Sequence, residues 1–137
     1  MEAGAGVAAG FADSAYVAAG AEVQPDPARL RGAADIVLKV NPPATGSGRN
    51  EIAWLKPDAI VIASLMPLRN LAMVPLLAER RVTAFSTDAI PRTTRAQAMD
   101  TLSSMANITG YKGVLLGAVE LNRYFPMLMT AAGTIKA

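Results

Sequence analysis

A short run of the sequence holds the polar residues best suited to binding chemistry. Arg92 comes just before a helix that the apolar periodicity predicts over residues 95–124. At about 100° per residue, Gln97, Asp100 and Ser103 fall on one arc of this helix. A guanidinium, an amide, a carboxylate and a hydroxyl can together hold a small polar group through donated and accepted hydrogen bonds.

A purely structural interpretation of the same run is also available. Thr94 and Gln97 have the T-x-x-Q spacing of a capping box, which would start the helix at Arg95. The remaining polar arc would then be a solvated helix face, on which Asp100 has no basic partner. Taken without any comparison, the residues favour this structural interpretation and leave a binding role open.

The elements that must position these side chains follow an alternating pattern. Three short apolar runs rich in β-branched residues are predicted strands, and helical segments separate them. The predicted strands cover residues 35–40, 59–65 and 82–86, with a weak fourth at 22–24, and the predicted helices cover 13–19, 27–31, 50–55 and 71–81. This alternation predicts βαβ units, and therefore an α/β fold in which helices flank a parallel sheet.

Polar residues follow each predicted strand. In an open parallel sheet, ligands bind outside the carboxyl ends of the strands, so these residues are expected along one edge. They are Lys39, Asn41, Ser64, Arg69, Asp88 and Arg92.

Composition excludes several kinds of site. The 137 residues include no cysteine and no histidine, which excludes disulfides, thiol nucleophiles and the common Cys/His metal sites. The net charge of +2 comes from scattered residues, so nothing indicates nucleic-acid binding. No apolar stretch reaches the ~18 residues of a membrane span, and the first ten residues lack the basic cluster of a signal peptide.

Glycines mark three further segments. Residues 4–9 fit a loose G-x-G-x-x-A dinucleotide pattern, but no strand precedes them, so a turn opening a short helix is expected instead. Residues 42–48 are predicted to form a flexible surface connection. Gly110, Gly113 and Gly117 share one helix face, on which another helix or domain could approach closely.

Four strings carry a resemblance to a known family. They are EAGAGVAAGF (residues 2–11), IVLKVNPP (36–43), RAQAMDTLSSMANITGYK (95–112) and FPMLMTAAGT (125–134). The chain resembles the alanine dehydrogenase/transhydrogenase family, and most of all its proton-translocating NAD(P) transhydrogenase branch. The resemblance implies a Rossmann-like or flavodoxin-like N-terminal α/β domain over residues 1–137. It also implies that the domain is incomplete and that a separate NAD-binding Rossmann domain follows it.

The resemblance gives the polar run a role. Arg92, Gln97, Asp100 and Ser103 match the family residues that line the nicotinamide end of bound NAD, with the glutamine approaching the NADP side. NAD(H) would be held mainly by the following domain and NADP(H) by a partner component. An arginine that donates, with an aspartate and a serine that accept, would lock a carboxamide and position the ring for hydride transfer.

The resemblance also implies partners and a location. It implies an NADP-binding component, a membrane component, a homodimer in the parent protein and a bacterial cytoplasmic location at the inner membrane. The chain alone is expected to be inactive and to bind NADH weakly or not at all.

Two alternatives remain. One is an amino-acid dehydrogenase fragment, in which Lys39 would match a substrate-binding lysine. That reaction is expected to use a histidine acid/base after the second strand, whereas this chain has Ser64 there and no histidine anywhere. Hydride transfer between two nicotinamides needs no general base, so the missing histidine favours transhydrogenase. The other alternative is a non-catalytic interaction module.

Overall fold

The computed structural model describes residues 1–46 and 48–136, which divide into two units, Met1–Pro91 and Arg92–Ala137. The α-helices are α1 Asp13–Ala18, α2 Pro27–Ala33, α3 Glu51–Trp54, α4 Met73–Glu79 and α5 Thr101–Glu120. The strands are β1 Ile36–Leu38, β2 Thr45–Gly46, β3 Arg49–Asn50, β4 Ile60–Ala63, β5 Thr83–Ser86, β6 Leu128–Thr130 and β7 Gly133–Ile135. Short 3-10 helices cover Val7–Ala9, Thr87–Ala89 and Thr94–Met99.

The three predicted strands form one parallel sheet in the first unit. Its order is β1-β4-β5, and β4 pairs in parallel with both neighbours. This confirms the parallel α/β fold with flanking helices. The sheet places the carboxyl ends of all three strands at one edge, which is where ligands bind in open parallel sheets.

The core lies on one face of this sheet. Along β4 the side chains alternate, so that Val61 and Ala63 are fully buried while Ile60 and Ile62 are half-buried. A strand alternates in this way when its two faces meet different surroundings. The buried cluster is Ile52, Leu55, Val61, Ala63, Leu65, Met73 and Leu77. Residues of α3 and α4 therefore cover the face to which Val61 points.

The second unit contains the 3-10 helix Thr94–Met99, one long helix and a hairpin. The helix α5 runs for 20 residues, and β6 pairs antiparallel with β7. Apolar side chains are exposed around α5, including Met105, Ile108, Val114 and Val119. Among the described residues, every helix is too short or too polar to span a lipid bilayer.

Several local predictions differ from the structure. The predicted helix over residues 95–124 begins later, at Thr101, because a 3-10 helix occupies Thr94–Met99. The weak strand at 22–24 is only an isolated bridge between Glu2 and Gln24. The predicted surface connection contains the first strand of the β2–β3 hairpin, although Ser47 lies outside the described residues.

The glycine-rich segment 4–9 behaves as expected. It forms a turn that opens the 3-10 helix Val7–Ala9, with Gly4 at a φ of 74°. That backbone conformation suits glycine because it has no Cβ. Residues 4–9 therefore adopt the turn and short helix that the sequence predicted for them.

Candidate functional site

Three of the four predicted site residues lie together at the start of α5. The Arg92 Nη2 donates to Ser103 Oγ at 3.0 Å, and Arg92 Nε lies 3.5 Å from Asp100 Oδ2. The Ser103 hydroxyl in turn donates to Asp100 Oδ2 at 2.7 Å. We call these residues the Arg92–Asp100–Ser103 cluster. It lies entirely within the second unit.

Local backbone structure holds Asp100 and Ser103 in place. Asp100 is the N-cap of α5, with the non-helical angles φ −75° and ψ 87°. Its Oδ1 accepts a hydrogen bond from Ser103 N at 2.9 Å. Such a cap satisfies an amide that has no partner within the helix, and aspartate is among the residues preferred for it. The same contact fixes the carboxylate next to the Ser103 side chain.

The prediction that Thr94 and Gln97 form a capping box is wrong. Thr94 and Gln97 both lie inside the 3-10 helix, and no side chain caps the start of that helix. The α-helix begins instead at Thr101, directly after the Asp100 cap. Asp100 takes the capping position because its carboxylate reaches Ser103 N directly, whereas Thr94 already belongs to a tighter turn.

The prediction that Asp100 lacks a basic partner is also wrong. Its partner is Arg92, which lies eight residues earlier and outside the helix, so helical spacing gave no sign of it. Gln97 is exposed and takes no part in the Arg92–Asp100–Ser103 cluster through its side chain. Its backbone carbonyl accepts from Asp100 N at 3.3 Å.

The cluster pairs the Asp100 carboxylate with the Arg92 guanidinium. Hydrogen bonds from the Ser103 hydroxyl and amide, followed by the nearby Arg92 charge, hold the pKa of Asp100 below its usual value. The Asp100 side chain is 17% exposed, whereas the Arg92 side chain is 63% exposed. The site therefore presents a fixed carboxylate beside a guanidinium that water and ligands can reach.

Hydrogen-bonding capacity remains for a ligand. A guanidinium has five N–H donors, and the contacts to Asp100 and Ser103 use two of those on Arg92. A carboxylate has about four lone-pair sites, and the contacts from Arg92 and Ser103 use three of those on Asp100. The cluster can thus donate to one ligand atom and accept from another.

A second polar group lies at the carboxyl edge of the sheet, in the first unit. Asp88 Oδ1 accepts from Ser86 Oγ at 2.6 Å, from Met66 N at 3.1 Å and from Ser64 Oγ at 3.3 Å. Partial burial raises the pKa of Asp88, but these hydrogen bonds outweigh it and leave the pKa below its usual value. Of the expected strand-end residues, Ser64 and Asp88 are therefore brought together, and they tie the end of β4 to the turn after β5.

Lys39 is held by a residue that the sequence did not single out. Its ammonium donates to Glu51, which is only 1% exposed. Glu51 also accepts from Arg31 at 2.8 Å and from Arg49 at 2.9 Å, and both arginines contact Glu2 at 2.9 Å. We call these five residues the Glu51 network. A glutamate at the first position of a four-residue helix gives no sequence signal that it will be buried among three cations.

The two remaining strand-end residues of the first unit, Asn41 and Arg69, lie at its surface. Asn41 lines, together with Lys39 and Arg49, an open groove of about 580 Å³ beside β1. Arg69 is exposed on the loop after β4. Within residues 1–46 and 48–136, no group of three acidic or other metal-binding side chains is arranged to hold a metal ion.

Comparison with known proteins points to one group of enzymes. An NAD(P) transhydrogenase subunit alpha protein of Rhodospirillum rubrum is 44% identical over 136 residues, which are 98% of this chain and 35% of that protein. The NAD(P) transhydrogenase subunit alpha of Cereibacter sphaeroides is 44% identical over 135 residues, which are 98% of this chain and 25% of that protein.

A solved structure agrees with these sequences. The crystal structure of transhydrogenase from Sinorhizobium meliloti superposes with a TM-score of 0.87 and 42% identity. The likeness covers 99% of this chain and 39% of that one. This chain therefore spans between about a quarter and two-fifths of the length of these relatives.

The family is defined by a match over most of the chain. Residues 1–109 match the family described as "Alanine dehydrogenase/PNT, N-terminal domain". The matched residues include the whole parallel sheet, the Arg92–Asp100–Ser103 cluster and the first turns of α5. On this match, and on the likeness to transhydrogenase in both sequence and structure, the chain belongs to the alanine dehydrogenase/PNT family and carries its N-terminal domain.

Proposed function

We propose that this chain belongs to the NAD(H)-binding component of a proton-translocating NAD(P) transhydrogenase and that it positions the nicotinamide of NADH. The observation that carries the proposal is the Arg92–Asp100–Ser103 cluster, which combines a free donor with a free acceptor. NAD(H) would supply the hydride, and NADP on a partner component would receive it. A membrane component would couple the transfer to proton movement.

The hydrogen-bond donors and acceptors of the cluster match those of a nicotinamide carboxamide. A primary carboxamide offers one carbonyl acceptor and two N–H donors. A free N–H of Arg92 can donate to the carbonyl, and the remaining lone pair of Asp100 can accept from the amide. Two opposed hydrogen bonds prevent the carboxamide from turning, so this chain's own contribution is to orient one ring face.

Gln97 has a separate proposed role. Its side chain is exposed and outside the cluster, so it can contact a second molecule. We propose that it approaches the NADP side of the reaction rather than the NADH carboxamide. This assignment rests on the family resemblance at that position.

The dehydrogenase alternative lacks an acid/base group. The whole sequence contains no histidine, and the residue after β4 is Ser64, whose hydroxyl donates to Asp88. Asp88 has a lowered pKa, which makes it a weak base. Hydride transfer between two nicotinamide rings breaks no O–H or N–H bond and needs no such group.

The serines at the start of α5 provide a direct test with a matched control. In the complete transhydrogenase, Ser103→Ala is expected to lower kcat about tenfold, because Arg92 and Asp100 lose the hydroxyl that joins them. Ser104→Ala should change kcat less than about twofold, since its hydroxyl donates to the Asp100 backbone carbonyl at 3.2 Å and, among the described residues, to none of the cluster's side chains. Steady-state assays of hydride transfer from NADH measure kcat for both variants. Equal losses of kcat in Ser103→Ala and Ser104→Ala would contradict the proposal.

We further propose that the remainder of the longer protein covers α5 and holds the rest of the dinucleotide. Many exposed apolar side chains on one element normally mark a surface that other protein covers, and the apolar side chains around α5 are exposed here. This chain covers only 35% of the Rhodospirillum rubrum relative, so a full-length protein of that size has ample chain to do so.

The isolated chain is accordingly expected to bind NADH weakly. The Arg92–Asp100–Ser103 cluster offers a few exposed hydrogen bonds and no contact for the pyrophosphate, so we expect no saturable binding below about 1 mM. Isothermal titration calorimetry of this chain with NADH measures the affinity. A micromolar Kd would show that the binding site is already complete within these 137 residues.

A further inference from the structure

We propose that Asp88 is a positioning residue, which fixes the point and the direction at which the chain leaves the parallel sheet just before Arg92. The inference rests on the proposed function, because it assumes that Arg92 meets the nicotinamide carboxamide. It goes further in giving a role to a side chain outside the Arg92–Asp100–Ser103 cluster, four residues before Arg92. The role follows from the contacts of one carboxylate oxygen.

Asp88 joins two neighbouring strands at their carboxyl ends. Ser86 is the last residue of β5, and it pairs in register with Ala63, the last residue of β4. Asp88 Oδ1 accepts from Ser86 Oγ at 2.6 Å and from Ser64 Oγ, directly after β4, at 3.3 Å. A single oxygen atom therefore holds the ends of both strands together.

The same oxygen holds a strained turn after β4. Met66 has a φ of 47°, in the left-handed region that residues with a Cβ rarely adopt. Its amide donates to Asp88 Oδ1 at 3.1 Å. Strained backbone persists only where surrounding contacts hold it, and it is concentrated at functional sites. This strain lies just beyond the carboxyl end of the central strand, at the edge where open parallel sheets bind ligands.

The segment between Asp88 and Arg92 has little freedom to absorb a change at its start. Thr87–Ala89 form a 3-10 helix, and Ile90 is extended with φ −61° and ψ 129°. Pro91 holds its own φ at about −65° and restricts the residue before it to extended conformations. A displacement of Asp88 is therefore passed along the backbone towards Arg92 instead of being lost in a flexible loop.

The role requires the shape of the Asp88 side chain more than its charge. The groups that donate to Asp88 Oδ1 are two hydroxyls and one backbone amide, and all three are neutral. Asparagine keeps an acceptor oxygen at the same place, whereas alanine has none. The two substitutions therefore separate the geometry of the contact from its charge, and a purely electrostatic role would predict equal losses from both.

Asp88→Ala in the full-length protein is the first test. We expect kcat for hydride transfer to fall about tenfold and the Kd for NADH to change less than about threefold, because a misplaced ring costs rate more than affinity. Asp88→Asn should keep kcat within about threefold of wild type. The control is Asp35→Ala, which removes an 80% exposed carboxylate before β1 and should change kcat less than about twofold.

A double-mutant cycle with Arg92→Ala separates positioning from general damage to the fold. If Asp88 acts through Arg92, adding Asp88→Ala to Arg92→Ala should lower kcat by less than about a further twofold. A merely structural residue would lower kcat by the same factor in both backgrounds. Such additivity would overturn the proposal, as would a wild-type kcat in Asp88→Ala or equal losses of kcat in Asp88→Ala and Asp88→Asn.

Ser86→Ala decides the question if Asp88→Ala does not fold. It removes the 2.6 Å hydrogen bond and leaves those from Ser64 and the Met66 amide. A loss of kcat that depends on Arg92 would support the proposal, and an unchanged kcat would overturn it.

The same measurements distinguish this proposal from the proposed function. If Arg92→Ala slows hydride transfer and the variants at Asp88 and Ser86 do not, only the role of Asp88 fails. If Arg92→Ala has no effect on hydride transfer, the proposed function fails and the positioning role of Asp88 falls with it.

Discussion

Under the proposed function, replacing Arg92 by alanine in the full-length protein should lower kcat for hydride transfer about a hundredfold while changing the Kd for NADH less than about threefold. The rest of the dinucleotide supplies most of the binding free energy, so losing one exposed donor affects affinity little. In the proposed function the same donor would fix the carboxamide and hence the ring, and small misplacements of a reacting ring are costly. The expected signature is a loss in kcat with little change in binding.

Two other arginine variants make this result specific. Arg92→Lys keeps a positive charge but loses the planar fork, so it should recover only some of the lost rate. Arg95→Ala removes an exposed arginine that is outside the Arg92–Asp100–Ser103 cluster, and it should behave like the wild type. Stopped-flow hydride transfer and calorimetric NADH binding measure the two quantities separately. Equal losses of rate and affinity for Arg92→Ala would make Arg92 a binding residue only.

Among the variants proposed here, Glu51→Gln should destabilise the fold most, lowering the free energy of unfolding by about 3 kcal/mol. Glu51 is 1% exposed and contacts Arg31, Lys39 and Arg49. Removing the central carboxylate leaves the Arg31 side chain, which is 6% exposed, with a buried charge that among the described residues is balanced by Glu2 alone. An unbalanced buried charge costs far more than a broken surface pair.

The effect of this variant should depend on pH in a defined direction. Burial alone would raise the pKa of Glu51, but hydrogen bonds from Lys39, the Ala44 amide and Arg49 outweigh it and lower the pKa from 4.5 to about 2. A carboxylate with a depressed folded-state pKa stabilises the fold fully above its unfolded-state value. That contribution is lost as the pH falls from 4.5 towards 2, so wild type and Glu51→Gln should converge in this window.

Chemical denaturation of this chain between neutral and acid pH measures both the loss of stability in Glu51→Gln and its dependence on pH. Glu79→Gln removes an exposed glutamate of α4 and serves as the control, with an expected change within about 0.5 kcal/mol. The interpretation of Glu51 as the centre of a buried ion network would be wrong if Glu51→Gln matched this control at neutral pH. It would also be wrong if the difference from wild type grew as the pH fell.

The sheet illustrates how much local pattern can predict. The predicted strand at residues 59–65 corresponds to β4, Ile60–Ala63, and each of the other two predicted strands contains an observed one. Apolar runs and their alternation specify these elements, because burying one face of a strand or helix is a local requirement. The strands are shorter than predicted by up to two residues at an end, where turn geometry takes over.

The start of α5 shows where local pattern fails. Both Thr94 and Asp100 are good cap residues, and the sequence favoured the earlier one because Gln97 completes a capping box. The 3-10 helix Thr94–Met99 removes that option, and Asp100 caps the helix. The same displacement explains why Gln97 does not share the helical arc of Asp100 and Ser103.

By itself the sequence determined the parallel α/β fold and the segment that holds the candidate site, since both follow from residue types at short spacing. It also carried the family resemblance. Only the tertiary structure decided which charges meet. Arg49 reaches Glu2 across 47 residues, Lys39 reaches Glu51 across 12 and Arg92 reaches Asp100 from outside its helix. No periodicity encodes such pairs, because they exist only after the chain has packed and brought distant backbone segments together.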